Sequence, residues 1–246
     1  MRARLAVGLL AFASLAPAQD SLTLWYRQQA KLWVEALPVG NGHLGAMVFG
    51  GVAHERIQFN EQTVWTGEPH DYAHTGAYRY LDTVRQLLWQ GKQKEAEDLA
   101  MREFMSVPVR QRAYQSFGDL LLDFPGVQES GISDYRRNLN LDTAVSSVEF
   151  KSQGVTLRRQ VFASYPAKVI VVRLSVGKPG SLSFVAGLDS LHEHSVRSSG
   201  EGELAMEGRV KDSAIRFEAR LQVNASGGKR EFRDGKISVT APVPPP

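Results

Sequence analysis

The 246-residue chain contains no cysteine. Disulfides cannot staple it, and no thiolate is available as a nucleophile or metal ligand, so its stability must come from a packed core. Lysine and arginine are scattered, with no run of five or more, which argues against nucleic acid as a partner. Apart from Leu5–Ala16 no stretch is long and apolar enough to suggest a membrane segment, and that one is too short to span a bilayer. There is no internal repeat and no phosphate loop. Ser164 lacks the G-x-S-x-G elbow of a nucleophilic serine, and no Ser/His/Asp array stands out.

The chain opens with Met1-Arg-Ala-Arg4, an apolar run to Ala16 and a small-x-small site at Ala16-Pro-Ala18. These are the three parts of a secretory signal peptide cleaved near Ala18–Gln19, and they predict a secreted or periplasmic protein. Without Arg2 and Arg4 the formal charge falls from +3 to +1, so the basic composition says little about partners. The remaining residues, 19–240, suffice for one β-rich domain. Residues 241–246 read Ala-Pro-Val-Pro-Pro-Pro, where proline removes ladder donors and no central strand can continue.

Hydropathy periods divide the domain. Alternation marks strands at Ser21–Tyr26, Leu44–Phe49 and Glu55–Asn60, with a loop or one helical turn over Gln28–Glu35. Around Tyr78, Leu81, Val84 and Leu88 the spacing becomes helical and stops at Gly91. A second helix is predicted from about Gln93 to Met105, with Ala96, Leu99, Ala100 and Phe104 on one face. From Tyr114 onward the chain is nearly all β. Strands are expected at Asp119–Phe124, Arg136–Leu141, Ala144–Lys151, Val155–Ala163, Lys168–Val176, Ser181–Leu188, Glu203–Glu207, Ile215–Asn224 and Lys236–Thr240, separated by glycine turns. The pattern predicts a mainly β fold: a large antiparallel sandwich with a small inserted helical hairpin. Val169–Val172, apolar on both faces, is expected to be a central strand.

The most informative stretch is Leu37–Pro69. Gly40-Asn-Gly-His-Leu-Gly45 fits G-x-G-x-x-G, but a dinucleotide site needs a strand before it and a helix after it. Pro38 precedes it, and Leu44–Phe49 followed by Gly50-Gly51 reads as a strand and a turn. The expectation is a glycine turn feeding a β-hairpin. The loop beyond that hairpin holds Trp65, Glu68, His70, Asp71 and His74, and long aromatic loops often carry function. Of the four tryptophans, Trp25 and Trp89 lie on patterned elements and are expected in the core. Trp65 is divided between core packing and a binding or domain-contact role, since an indole face suits the C–H face of a sugar. Glu55, Glu61, Glu68 and Asp71 are the carboxylates from which a glycosidase pair would come, although most such groups are simply solvated. His192-Glu-His194 has the spacing of a metal pair, but no further ligand lies nearby and an exposed polar loop is expected.

Several motifs together are recognisable: Glu35-Ala-Leu-Pro-Val-Gly-Asn-Gly-His-Leu-Gly-Ala-Met-Val-Phe-Gly-Gly51, Ile57-Gln-Phe-Asn-Glu-Gln-Thr-Val-Trp-Thr-Gly67, Gly91–Glu97, Tyr114-Gln-Ser-Phe-Gly-Asp-Leu120, Tyr135–Asp142, Val161-Phe-Ala-Ser-Tyr-Pro166 and Val171–Ser175. Over about residues 22 to 240 the chain resembles the N-terminal domain of glycoside hydrolase family 95, the secreted α-L-fucosidases. The resemblance implies a β-super-sandwich with a helical insert. It also implies a parent reaction, inverting hydrolysis of terminal α-L-fucosides without metal or organic cofactor, in which one carboxylic acid protonates the leaving oxygen and a base activates water. In that family the acid and base machinery lies in a following (α/α)6 barrel, which this sequence does not contain. The expected role is therefore a non-catalytic domain, with the barrel as its natural partner and no catalytic residue of its own.

The chain departs from the family at His43, where arginine is usual, at Phe117 and at Glu68. It also lacks an apolar strand after Thr240, so an open sheet edge is expected there. Asn41, His43, Asn60, Glu61 and Trp65 are the candidates for a substrate rim or domain interface. Two other readings compete: a stand-alone secreted carbohydrate-binding sandwich that takes a fucosylated glycan at the Trp65 loop, and a structural module with a sticky apolar face.

Overall fold

The computed structural model describes residues 22–241. The signal peptide, and all of the proline-rich tail except Ala241, lie outside the described residues.

Three antiparallel sheets form the domain. The first has the order β1 (Thr23–Tyr26), β6 (Ile132–Asn140), β7 (Val145–Ser152), β8 (Val155–Ser164) and β9 (Val169–Val176). The second runs β14 (Lys229–Arg233), β15 (Lys236–Thr240), β10 (Phe184–Asp189), β5 (Gly118–Asp123), β4 (His54–Glu61), β3 (Leu44–Val48) and β2 (Leu37–Gly40). The third is β11 (Glu193–Gly200), β12 (Glu203–Arg209) and β13 (Arg216–Gln222). Alternate side chains of the seven-stranded sheet, among them Val48, Ile57, Leu120, Leu122 and Ala186, share one core with Leu139 and Val161 of the five-stranded sheet and Leu204 of the three-stranded sheet. The large sheet thus backs both smaller ones, as the period-2 alternation of β5 requires: Gly118, Leu120 and Leu122 point inward and their neighbours outward.

The predicted hairpin is β3–β4, in the register Leu44↔Glu61 to Val48↔Ile57. A strand does precede the glycine motif, contrary to the reading of Pro38. β2 pairs with β3 from Leu37↔Val48 to Gly40↔Gly45 and is the edge of its sheet, the one place where proline's missing N–H costs no ladder bond. After the glycines comes another strand, β3, so no helix N-terminus is there to meet a phosphate.

Other expectations need correction. Val169–Val172 belongs to β9, an edge strand rather than a central one. Its inward Ile170 and Val172 pack on the core, while Val171 sits on the outer face paired with Phe162. β11 and β14 have no apolar alternation and escape a period reading. The charged β14 pairs with β15, which β10 flanks on its other side, so Lys236–Thr240 is not itself a sheet edge. The helices are α1 (Leu81–Trp89) and α2 (Gln93–Glu103), joined through Gly91 at φ 72°. Of their residues only Ala96 is buried. Trp89 at the end of α1 is 81% exposed, and Trp25 on the edge strand β1 is 39% exposed, so neither is in the core.

One polar device sits inside the sandwich. Glu55 shares the inward face of β4 with Ile57, and Arg159 shares the inward face of β8 with Val161. They meet across the core as an ion pair with side chains 0% and 4% exposed. The second carboxylate oxygen of Glu55 accepts N–H bonds from Phe49 at 3.2 Å and Gly50 at 3.0 Å, and Arg159 Nη2 donates to the Gly51 carbonyl at 2.7 Å. The Tyr135 hydroxyl donates to the Gly50 carbonyl at 2.6 Å. Beside it Arg137 donates to the carbonyls of Gln28 and Glu35, both at 2.7 Å. Glycine is required at this turn. Gly50 has φ 80°, and a Cβ there would lie 2.7 Å from the Tyr135 hydroxyl, while a Cβ on Gly51 would lie 1.8 Å from the His54 carbonyl oxygen.

Burial pushes the Glu55 carboxyl above its ordinary value of 4.5, with Arg159 and the backbone donors pulling the other way. A carboxyl whose pKa is raised on folding contributes stability that is fully present below the unfolded value and is lost as pH rises through the folded value. The stability advantage of the wild-type protein over Glu55→Gln is therefore expected to shrink as pH rises from 4.5, in urea unfolding at stepped pH. A difference that grew with pH would contradict this assignment. In the same assay Gly50→Ala is expected to lose about 2 kcal/mol or more, from the left-handed backbone and the contact with Tyr135 together.

Candidate functional site

The five residues singled out in the sequence lie at one end of the β2–β3–β4 ribbon. Asn41 and His43 occupy the β2–β3 turn, Asn60 and Glu61 close β4 opposite Gly45 and Leu44, and Trp65 follows after a short turn. The backbone builds this edge itself. Asn41 Oδ1 accepts the N–H groups of His43 at 3.0 Å and Leu44 at 2.8 Å, an Asx turn that sets the hairpin, and Asn41 Nδ2 donates to the Ser164 carbonyl at 2.8 Å. That last bond ties the ribbon to the end of β8 in the five-stranded sheet.

Three residues not among the sequence candidates complete the edge: Gln62, Tyr114 and Tyr165. Gln62 Nε2 donates to His43 Nδ1 at 2.8 Å, and the other ring face contacts Tyr165 with centroids 6.1 Å apart. Trp65 Nε1 donates to the Gln62 carbonyl at 2.9 Å, and its ring packs on Tyr114 at 5.1 Å. Both rings keep an open side, 43% exposed for Trp65 and 47% for Tyr114. The Tyr114 hydroxyl donates to the Glu61 carbonyl at 3.2 Å, and burial, then the nearby Glu61 charge, raise its pKa. The sequence held the signal: Tyr114 opens one conspicuous motif and Tyr165 lies in another, but their distance along the chain hides that they converge.

The loop around Trp65 is held from both sides. Thr66 N–H bonds the Ala113 carbonyl, Gln115 N–H bonds Val64, and Gly67 N–H bonds the Asp212 carbonyl at 2.7 Å while its own carbonyl accepts from Ser213 and Ala214. His70 and His74 bond the carbonyls of Val107 and Met105. The long loop is therefore a strap stitched to the 105–115 segment rather than an open chain.

The carboxylates do not form an acid–base pair within this edge. Glu55 is buried in its ion pair. The Glu61 carboxylate accepts the backbone N–H and hydroxyl of Thr63, at 2.8 and 2.5 Å, and Asp71 accepts the Ala73 N–H at 2.9 Å. Glu68 is exposed on the strap. The expectation of an exposed polar loop at His192–His194 is corrected. His192 is 7% exposed, its Nε2 donates to the Ser116 carbonyl at 2.9 Å, and its Nδ1 accepts the Lys211 N–H at 3.3 Å. Both nitrogens are engaged: Nε2 ties the start of β11 to the segment before β5, and Nδ1 ties it to the β12–β13 turn. Among the described residues no cluster of three or more His, Asp or Glu has the spacing to hold a metal ion.

The profile described as glycosyl hydrolase family 65, N-terminal domain, matches residues 24–243. The chain belongs to this family. In this N-terminal domain the glycine hairpin, the strap and both smaller sheets all fall within the matched span. Similar proteins include alpha-L-fucosidase 2 of Arabidopsis thaliana, 36% identical over 207 residues, which are 83% of this chain and 24% of that protein. Probable alpha-fucosidase A of Aspergillus niger is 33% identical over 57% of this chain and 18% of its own length, and the Aspergillus oryzae protein of the same name is 27% identical over 68% and 23%. The chain thus spans about a quarter or less of these relatives.

The edge yields a comparative prediction. Asn41 makes three side-chain bonds, two that set the turn and one that ties it to β8, each worth about 1 kcal/mol, so Asn41→Ala is expected to lose about 2 kcal/mol or more. His43→Ala removes one exposed bond and an aromatic contact, and is expected to lose less than about 1 kcal/mol. Urea unfolding of the two variants checks this, and the reverse order would show that the turn does not depend on Asn41.

Proposed function

We propose that this chain is the non-catalytic N-terminal domain of an α-L-fucosidase-like glycoside hydrolase of the family 95 type, exported by the signal peptide at residues 1–18. The observation that carries the reading is the match to a protein named as an alpha-L-fucosidase across 83% of this chain but only 24% of that protein. The parent reaction would be inverting hydrolysis of terminal α-L-fucosides, with the acid and base supplied by an (α/α)6 barrel. The commitments of Glu55, Glu61 and Asp71 to local bonds support the absence of catalysis from this domain. The half-open Trp65–Tyr114 pair and His43, presented on a rigid edge, suit a face that meets the catalytic domain or rims its substrate.

The exposure of those rings also supports a second reading, a sugar-binding module acting through the Trp65 edge. Two measurements separate them. The full chain is expected to release no aglycone from an aryl α-L-fucoside; turnover abolished by Glu61→Gln or Asp71→Asn would overturn the proposal. Calorimetric titration with fucosylated oligosaccharides is expected to be silent. A saturable heat that disappears in Trp65→Ala would favour the binding module.

A further inference from the structure

The outer face of the five-stranded sheet, away from the hairpin edge, forms a groove of about 990 Å³. Its floor is set by strand register. Trp25 of β1 stands opposite Asn138 of β6, Asn138 opposite Ser147 of β7, and Ser147 opposite Gln160 of β8. All four line the groove. The row crosses the sheet at right angles to the strands, and its side chains share one face because they occupy matched positions in the pleat. No hydrogen bond within the described residues engages the side chains of Asn138, Ser147 or Gln160, although Ser147 is only 8% exposed. A row of amides and a hydroxyl with free donors and acceptors, sunk in a groove, is suited to the hydroxyls of a saccharide.

Charge refines the ligand. The guanidinium groups of Arg27 and Arg136 lie 5.5 and 5.2 Å from the Trp25 ring centroid, so the indole holds two cations at the groove's rim. Neither forms an ion pair within 4.0 Å among the described residues, although Glu149 stands opposite Arg136 in the β6–β7 register. Arg158 adds a third cation, only loosely paired with Glu149 at 3.8 Å. The one acidic residue in the lining, Asp134, is already neutralised by Lys151 at 2.8 Å. Guanidinium forks match the planar oxygens of carboxylate and of sulfate esters.

We propose that this groove binds an acidic oligosaccharide, with the amide row meeting its hydroxyls and Arg27 and Arg136 its anionic groups. The site is separate from the hairpin edge and does not rest on the fucosidase reading. Calorimetric titration of the full chain tests it with three probes: a galacturonate hexamer, a sulfated galactose oligomer and a neutral galactose oligomer. Saturable binding of at least one acidic oligomer, at least about tenfold tighter than the neutral one and weakened by added salt, is expected, and the acidic probe that binds identifies the anion. Arg27→Gln with Arg136→Gln should weaken it about tenfold, and Asn138→Asp, which puts a negative charge on the floor, should abolish it. Unchanged thermal unfolding in either variant shows that the fold is intact. Trp65→Ala should leave it intact. The proposal is overturned if neither acidic oligomer binds, if the neutral oligomer binds as well, if both groove variants bind like wild type, if Trp65→Ala abolishes the signal, or if a single-stranded oligonucleotide binds equally.

Discussion

The ion pair of Glu55 and Arg159 is the constraint on which the rest of this domain depends. Two charged groups removed from water are costly unless each is fully engaged, and breaking such a pair from one side commonly costs about 3–5 kcal/mol. Here the carboxylate also binds the backbone of the Phe49–Gly50 turn, and the guanidinium binds the Gly51 carbonyl through Nη2 while its buried Nε has no partner among the described residues. The pair therefore does two jobs at once: it joins the large sheet to the five-stranded sheet, and it closes the β3–β4 turn against that second sheet. By contrast the surface pairs, such as Arg85 with Asp82 on α1, are exposed and contribute little.

This clasp sets the position of the chemistry. With one end of the β3–β4 ribbon fixed by Glu55, its other end carries Asn41, His43, Glu61 and the Trp65 strap to the rim, where Asn41 makes a second tie to the five-stranded sheet at Ser164. A ribbon held at both ends is a rigid platform, which is what a contact face needs and what a mobile catalytic loop does not. One of the four carboxylates from which a glycosidase pair could come, Glu55, is consumed by the fold. This agrees with the proposed supporting role, and it leaves the aromatic residues rather than the acids as the reactive surface of the edge.

Much of the fold was legible in the residues, because half-buried strands such as β5 must alternate and the glycines at Gly50 and Gly51 must turn. The elements that escaped did so for physical reasons. β2 was hidden by Pro38, which only an edge tolerates. β11 and β14 have no buried stripe to reveal them. Trp25 and Trp89 were misplaced because pattern shows that an element exists, not what lies against it, and α1 packs on little besides its own hairpin. The five edge residues could be named, since they cluster within one stretch, whereas Tyr114 and Tyr165 arrive from elsewhere in the chain. The clasp itself left a trace. Glu55 alternates in phase with Ile57 and Phe59, and Arg159 with Leu157 and Val161. A charge of each sign on an apolar face asks for a partner of the other sign in the opposite sheet.

A double-mutant cycle across that clasp tests the account most directly. Urea unfolding is measured for the wild type, Glu55→Gln, Arg159→Met and the double variant. If the two groups act as one device, each single change leaves a partner stranded and the second change adds little further loss, giving a coupling energy of about 2 kcal/mol or more. Losses that simply add would mean that the two side chains are buried independently, and the clasp would not organise the domain.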